Sequence, residues 1–189
     1  GGGGRGGSGS GGGKGGGDGW SDHPIDRLIR NAVNDLRRLS EQELQTVIEH
    51  VATRPLDDRV AKVKKDIRKL SGSWNGVEFS ALSYLSLAEI HLIERTIMDK
   101  QWPIDTTLEQ YTQDLQQAVR NAEQIYTYTF RGQPYIGFLA PNHVEGQNSE
   151  PLLWVAYSAA YGVIRTGYQV TRIEEIFRSG FPIDWFRQR

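Results

Sequence analysis

Ile125-Tyr126-Thr127-Tyr128-Thr129-Phe130-Arg131-Gly132-Gln133-Pro134-Tyr135-Ile136-Gly137-Phe138-Leu139 reads as two strands around a turn. From Ile125 to Phe130 tyrosine and threonine alternate with period two, Arg131 to Pro134 supplies turn residues, and Tyr135 to Leu139 resumes the strand pattern. Downstream, the loop Pro141 to Pro151 leads into Leu152–Tyr157, a continuous apolar run suited to a central strand. The turn at Ala160-Tyr161-Gly162 then leads to a neighbouring strand, Val163–Val170. A short helix near Arg172–Arg178 and an edge strand at Ile183–Phe186 complete this half.

Upstream the period changes to that of helices. Thr106 or Thr107 starts one through Leu108, Tyr111, Leu115, Ala118 and Val119, and Trp102-Pro103 separates it from another over Ser83–Asp99. Ser71-Gly72-Ser73-Trp74-Asn75-Gly76 reads as a loop and a domain boundary. Before it, Val60, Val63, Ile67 and Leu70 predict a helix over Leu56–Leu70. Its other side carries Arg59, Lys62, Lys64, Lys65, Arg68 and Lys69, either a solvated face or a surface that attracts phosphate or a partner. Ser40-Glu41-Gln42-Glu43 is a capping box for a helix reaching Val51, broken by Pro55. Asp22 or Ser21 caps a first helix with Pro24 in its opening turn and Ile25, Leu28, Ile29, Val33, Leu36 and Leu39 on one stripe. The expected fold class is α+β, with N-terminal helices packed on a small, mainly antiparallel sheet. The expected division is a glycine-rich linker at 1–20, a helical segment at 21–70 and an α+β domain at 71–189.

Composition bounds the function. The first nineteen residues hold 14 of the 22 glycines and no apolar side chain, so they cannot bury enough surface to offset the entropy of ordering, and coil is expected there. A cloning linker and a native spacer or translocation tail both fit this stretch. The missing initial Met fits a fragment of a longer polypeptide and equally a trimmed start. With no cysteine, disulfides, thiolate metal sites and cysteine nucleophiles are excluded. No apolar run has the length of a membrane span, and the expectation is a soluble chain. Residues 1–70 carry 13 Lys and Arg against 10 Asp and Glu, a net +3, whereas 71–189 carry 9 against 13, a net −4. The acidic half weighs against non-specific nucleic-acid binding.

The chemical motifs are few. Walker, dinucleotide, His-Glu-x-x-His and Gly-x-Ser-x-Gly patterns are absent, and His23, His50, His91 and His143 lack the spacing of metal ligands. No cofactor is implied. Within Glu89-Ile90-His91-Leu92-Ile93-Glu94-Arg95-Thr96, a spacing of four puts His91 and Arg95 on one helical face, and Glu94 can reach His91. Histidine moves protons near neutrality and arginine holds phosphate, though an ordinary surface helix shows the same mixture. In the second cluster, Val163 to Val170, alternation sends Thr166 and Tyr168 to one face with Ile164 and Val170, and Arg165 and Gln169 to the other. Thr166 and Tyr168 either line a cleft or pack beneath helices. Gly167 hints at a bulge or a close backbone approach.

The order of these pieces resembles a known family. A helix with His91 and Arg95 is followed by Trp102-Pro103-Ile104-Asp105-Thr106-Thr107-Leu108-Glu109-Gln110-Tyr111, Gly137-Phe138, an apolar strand, Arg165-Thr166-Gly167-Tyr168-Gln169 and Trp185-Phe186-Arg187. Over residues 80–189 this resembles the C-terminal ribonuclease domains of bacterial polymorphic and contact-dependent growth-inhibition toxins, of the barnase–EndoU–colicin–RelE or ribonuclease A-like kind. The resemblance implies metal-independent cleavage of tRNA or rRNA by 2′-hydroxyl transesterification in a rival bacterium. His91, Arg95, Thr166 and Tyr168 would be catalytic, and Arg165, Gln169 and Tyr126 would contact substrate, with Tyr128 and Tyr157 in reserve. It further implies a cognate immunity protein, export from the producer, and action in the target-cell cytoplasm. The chain departs from the pattern in having no second well-placed histidine and an acidic domain. The alternatives are a cytoplasmic binding module of immunity or adaptor type and a structural protein of a phage or secretion apparatus.

Overall fold

The computed structural model describes residues 19–177 and 185–189. Residues 1–18, Arg178 at the end of the expected short helix, and Ile183 and Asp184 of the expected last strand lie outside them. Helix α1 (Pro24–Asp35) is capped by His23, whose Nδ1 accepts from the Ile25 amide, rather than by Ser21 or Asp22. It stops at Leu36, which turns left-handed at φ 49°, so Leu36 leaves the apolar stripe and is exposed while Leu39 is buried. Helix α2 (Glu41–Val51) carries the expected capping box, with Ser40 accepting from the Glu43 amide and Glu43 accepting from the Ser40 amide.

The helix expected over Leu56–Leu70 does not form. Asp57 accepts from the Arg59 amide through its side chain, a local bond that competes with the helix ladder, and Leu56 bridges to Ile164. Val60–Lys62 then forms β1, and only Lys65–Arg68 is helical, as α3. The loop expected at 71–76 is instead a hairpin, β2 (Ser73–Trp74) paired with β3 (Val77–Glu78). Asn75 and Gly76 at its tip have φ of 50° and 83°, the pair a type I′ turn requires. The helix expected from Ser83 starts later, because Tyr84–Ser86 is β4, paired antiparallel with β1. Ser86 caps α4 (Leu87–Ile93), a π turn follows at Glu94–Met98, and Thr107 caps α5 (Leu108–Arg120).

The second half is a meander of β5 (Gln124–Phe130), β6 (Gln133–Pro141), β7 (Leu152–Ser158) and β8 (Val163–Val170), with β9 (Trp185–Arg187) added to the far edge. All pairs are antiparallel in the order β8-β7-β6-β5-β9. A 3₁₀ turn at Ile173–Glu175 stands where the short helix was expected. One face of the sheet, with Ile125, Ile136, Phe138, Val155 and Tyr157, shares a buried cluster with Ile29, Val33, Leu44 and Val47 of α1 and α2 and Tyr111 and Leu115 of α5. Residues from the 21–70 segment thus sit in the same core as the sheet. The other face is aromatic, with Tyr126, Tyr128, Tyr135 and Trp154. A third cluster joins Val63, Ile67 and Phe79 to Ile90 and Ile93 of α4. Among the described residues no helix is long and apolar enough to cross a membrane.

Candidate functional site

Two features aim side chains at the β8 edge. On α4, Ala88 and Leu92 enter the main core, Ile90 and Ile93 enter the third cluster, and His91 is left facing β8. The π turn closes with the Asp99 amide on the Glu94 carbonyl and advances Arg95 towards the same strand. On β8, Tyr157 pairs with Ile164 but Ala156 pairs with Thr166, so Arg165 is the extra residue of a β-bulge. The bulge moves Ile164 out of the alternation expected from sequence, while Tyr168 and Val170 keep the face opposite Gln169. Ile164 packs under the helices, whereas Tyr168 and Val170 face the aromatic side.

The result is a continuous polar network. His91 Nδ1 lies 3.1 Å from Glu94, and its Nε2 lies 3.1 Å from Arg165 Nη1. Because a guanidinium only donates, Nε2 carries the lone pair and Nδ1–H donates to Glu94. Burial lowers the His91 pKa below its ordinary 6.5; the Glu94 hydrogen bond opposes this and the Arg95 and Arg165 charges add to it. Burial alone would raise Glu94, but hydrogen bonds from His91 and Lys64 and the charge of Arg95 bring it down to about 2. Arg165 also lies 3.7 Å from Asp57, which is 1% exposed and gripped by Arg59 at 2.8 and 3.0 Å. Burial would push the Asp57 carboxyl up, yet the hydrogen bonds and charge of Arg59 hold it below the usual range.

Arg95 is buried, and each of its nitrogens has a protein acceptor. Nε donates to the Gly167 carbonyl at 2.9 Å, Nη1 to Asp99 at 2.8 Å and Nη2 to Thr166 Oγ1 at 3.1 Å. Its guanidinium carbon lies 5.1 Å from the centre of the Tyr168 ring. Tyr111 completes the arrangement by donating its hydroxyl to the same Gly167 carbonyl at 2.7 Å. A Cβ at position 167 would lie 2.4 Å from Leu115, so this close approach needs glycine.

His91, Arg95, Arg165, Thr166 and Tyr168 therefore come together. Gln169 and Tyr126 stand apart. Gln169 is buried on the helix side, where its amide donates to the Gln101 carbonyl and accepts from the Glu150 amide. Tyr126 lies on β5, three strands from β8, with its hydroxyl on Gln124. Of the reserve tyrosines, Tyr128 stacks on Tyr135, and Tyr157 is sealed on the helix side against Asp26 and His50. Asp57 and Tyr111 belong to the network without having been singled out from sequence; Asp57 lay hidden in the helix expected there. Among the described residues no group of three or more His, Asp and Glu could hold a metal ion. The chain matches no protein-family model, and neither a curated protein nor a solved structure matches it significantly.

Proposed function

We propose that the chain is a ribonuclease toxin domain of the bacterial polymorphic or contact-dependent growth-inhibition kind, cutting tRNA or rRNA by 2′-hydroxyl transesterification. One observation carries the reading: a neutral imidazole nitrogen accepts at 3.1 Å from a partly exposed arginine, which can turn away to release its lone pair, on a bulged strand beside a threonine and a tyrosine. His91 Nε2 takes the proton of a ribose 2′-hydroxyl, and the freed oxygen attacks the adjacent phosphorus. The P–O5′ bond breaks, the 5′-oxygen leaves with a proton from water, and a 2′,3′-cyclic phosphate remains. His91 then returns its proton to solvent.

Glu94 holds the tautomer that keeps Nε2 unprotonated. Arg165, 30% exposed, turns from His91 to the phosphate and offsets its developing charge. Arg95 is committed to the fold at all three nitrogens, so its part is to fix Thr166 and the β8 backbone. In this reading the partners are RNA and a cognate immunity protein, and the place of action is the cytoplasm of the target cell.

Purified protein incubated with tRNA and rRNA tests the proposal. His91→Ala is expected to lower cleavage by about a hundred- to ten-thousand-fold, the usual weight of a general base. Cyclic-phosphate ends are expected on the products of the unaltered chain. Cleavage undiminished in His91→Ala, with its circular-dichroism melt retained, removes the histidine from the reaction. RNA left intact by the unaltered chain points instead to a binding module.

A further inference from the structure

The two faces of the small β1–β4 sheet have different surroundings. Ala61 and Leu85, paired directly, pack inward against the third cluster. Val60, Lys62 and Tyr84 occupy the alternate positions, with Lys62 opposite Tyr84, so they share the outward face. Val60 is 72% exposed and Tyr84 64%. Tyr84 joins none of the apolar clusters, and among the described residues neither its hydroxyl nor the Lys62 ammonium is hydrogen-bonded or ion-paired.

The residues that flank β1, Arg59 and Lys64, tie this small sheet to the His91 network. At one end Arg59 grips Asp57, which neighbours Arg165; at the other Lys64 bonds Glu94 at 2.8 Å, and Glu94 bonds His91. Arg59 and Lys64 are five residues apart, hence at most about 18 Å. Of the six cations Arg59, Lys62, Lys64, Lys65, Arg68 and Lys69, Arg59 is paired with Asp57 and Lys64 with Glu94, while among the described residues Lys62, Lys65, Arg68 and Lys69 are in no ion pair, in a chain whose net charge is −1. All six of these cations are solvent-exposed.

We infer that the outward face of β1–β4 is a binding platform for single-stranded RNA. Tyr84 stacks on a base flanking the cleaved linkage, and Lys62, with its neighbouring cations, receives the phosphates. A single strand fits because an isolated exposed ring needs an unstacked base, which an A-form duplex does not offer. The inference rests on the ribonuclease reading only for where the strand leads.

The test measures binding of a labelled oligouridylate with methylated 2′-oxygens, which cannot undergo transesterification, by fluorescence anisotropy on the full chain. Tyr84→Ala is expected to weaken binding about tenfold, within the range for loss of one base–aromatic stack, while Tyr84→Phe binds like the unaltered chain. Lys62→Ala is expected to reduce the slope of log affinity against log salt by about 0.7, one phosphate contact on a single strand. Thermal melts stay unchanged, since both side chains are exposed. Unaltered affinity in both Tyr84→Ala and Lys62→Ala overturns the platform, as does equal competition by duplex RNA. If these variants lose binding while the unaltered chain leaves natural RNA uncut, the platform stands and the ribonuclease reading falls.

Discussion

His91 is held between a carboxylate and a guanidinium, and the two act on its proton in opposite senses. Glu94 favours the protonated ring and Arg165 disfavours it, with burial on the side of Arg165. Glu94→Gln is therefore expected to lower the His91 pKa further, and Arg165→Met to raise it. Both shifts are readable from the His91 ring protons by NMR titration. In the proposed reaction the cleavage rate rises with pH through one ionisation below 6.5 and then stays level, because no second histidine acts as acid. Its inflection is expected to move to lower pH in Glu94→Gln. A falling limb in the profile, or an inflection that ignores Glu94, rules out this assignment of roles.

At the scale of elements, the site depends on irregularities in otherwise regular pieces. The bulge in β8 makes Arg165 the extra residue, and the π turn after α4 advances Arg95 to the same edge. The edge of β8 is closed at Ile164 by the backbone of Pro55 and Asp57 and farther along by side chains, with Arg95 and Tyr111 on the Gly167 carbonyl and Gln101 on the amide and carbonyl of Gln169. Two glycines permit this packing. A Cβ at Gly137 would lie 2.0 Å from the buried Trp154 indole. Gly137→Ala is expected to cost about 2–3 kcal/mol in urea denaturation, the overpacking range for a core that cannot give way. Gly167→Ala meets the more pliant Leu115 and is expected to cost about 1–2 kcal/mol while displacing the carbonyl that orients Arg95. Equal stability of Gly137→Ala and the unaltered chain contradicts the packing described for the aromatic face.

For the molecule as a whole, the depressed carboxylates and His91 give acid sensitivity one sign. A group whose pKa is lower folded than unfolded binds more protons when unfolded, so stability falls as pH falls. His91 contributes from about its ordinary 6.5 downward, and Glu94 from 4.5 towards about 2. Asp26 and Asp57 add to the loss below their ordinary 3.8. Burial would raise both, but hydrogen bonds outweigh it, from His50, Ser21 and Tyr157 on Asp26 and from Arg59 on Asp57. The denaturant midpoint is expected to fall steadily from neutrality into acid, with His91→Ala flattening the limb just below 6.5. A midpoint level between pH 7 and 5 removes His91 from this balance.

What the sequence determined by itself was whatever local chemistry decides. The capping box at Ser40 starts its helix where the pattern places it, Thr107 proves to be the cap of the two threonines the pattern offered, and the tyrosine–threonine alternation after Ile125 forms its strand. The pairing of His91 with Glu94 is also local, three residues apart on one helix. Asn75-Gly76 carried a local signal that the loop reading of 71–76 passed over, since that dipeptide between short strands marks a hairpin. Tertiary structure alone decided the rest. Residues 56–70 carry a helical spacing, yet Val60 to Lys62 pair with a strand more than twenty residues away, a partner that no local window contains. The bulge that makes Arg165 a neighbour of His91 is a register shift between two strands, and register belongs to the pair rather than to either sequence.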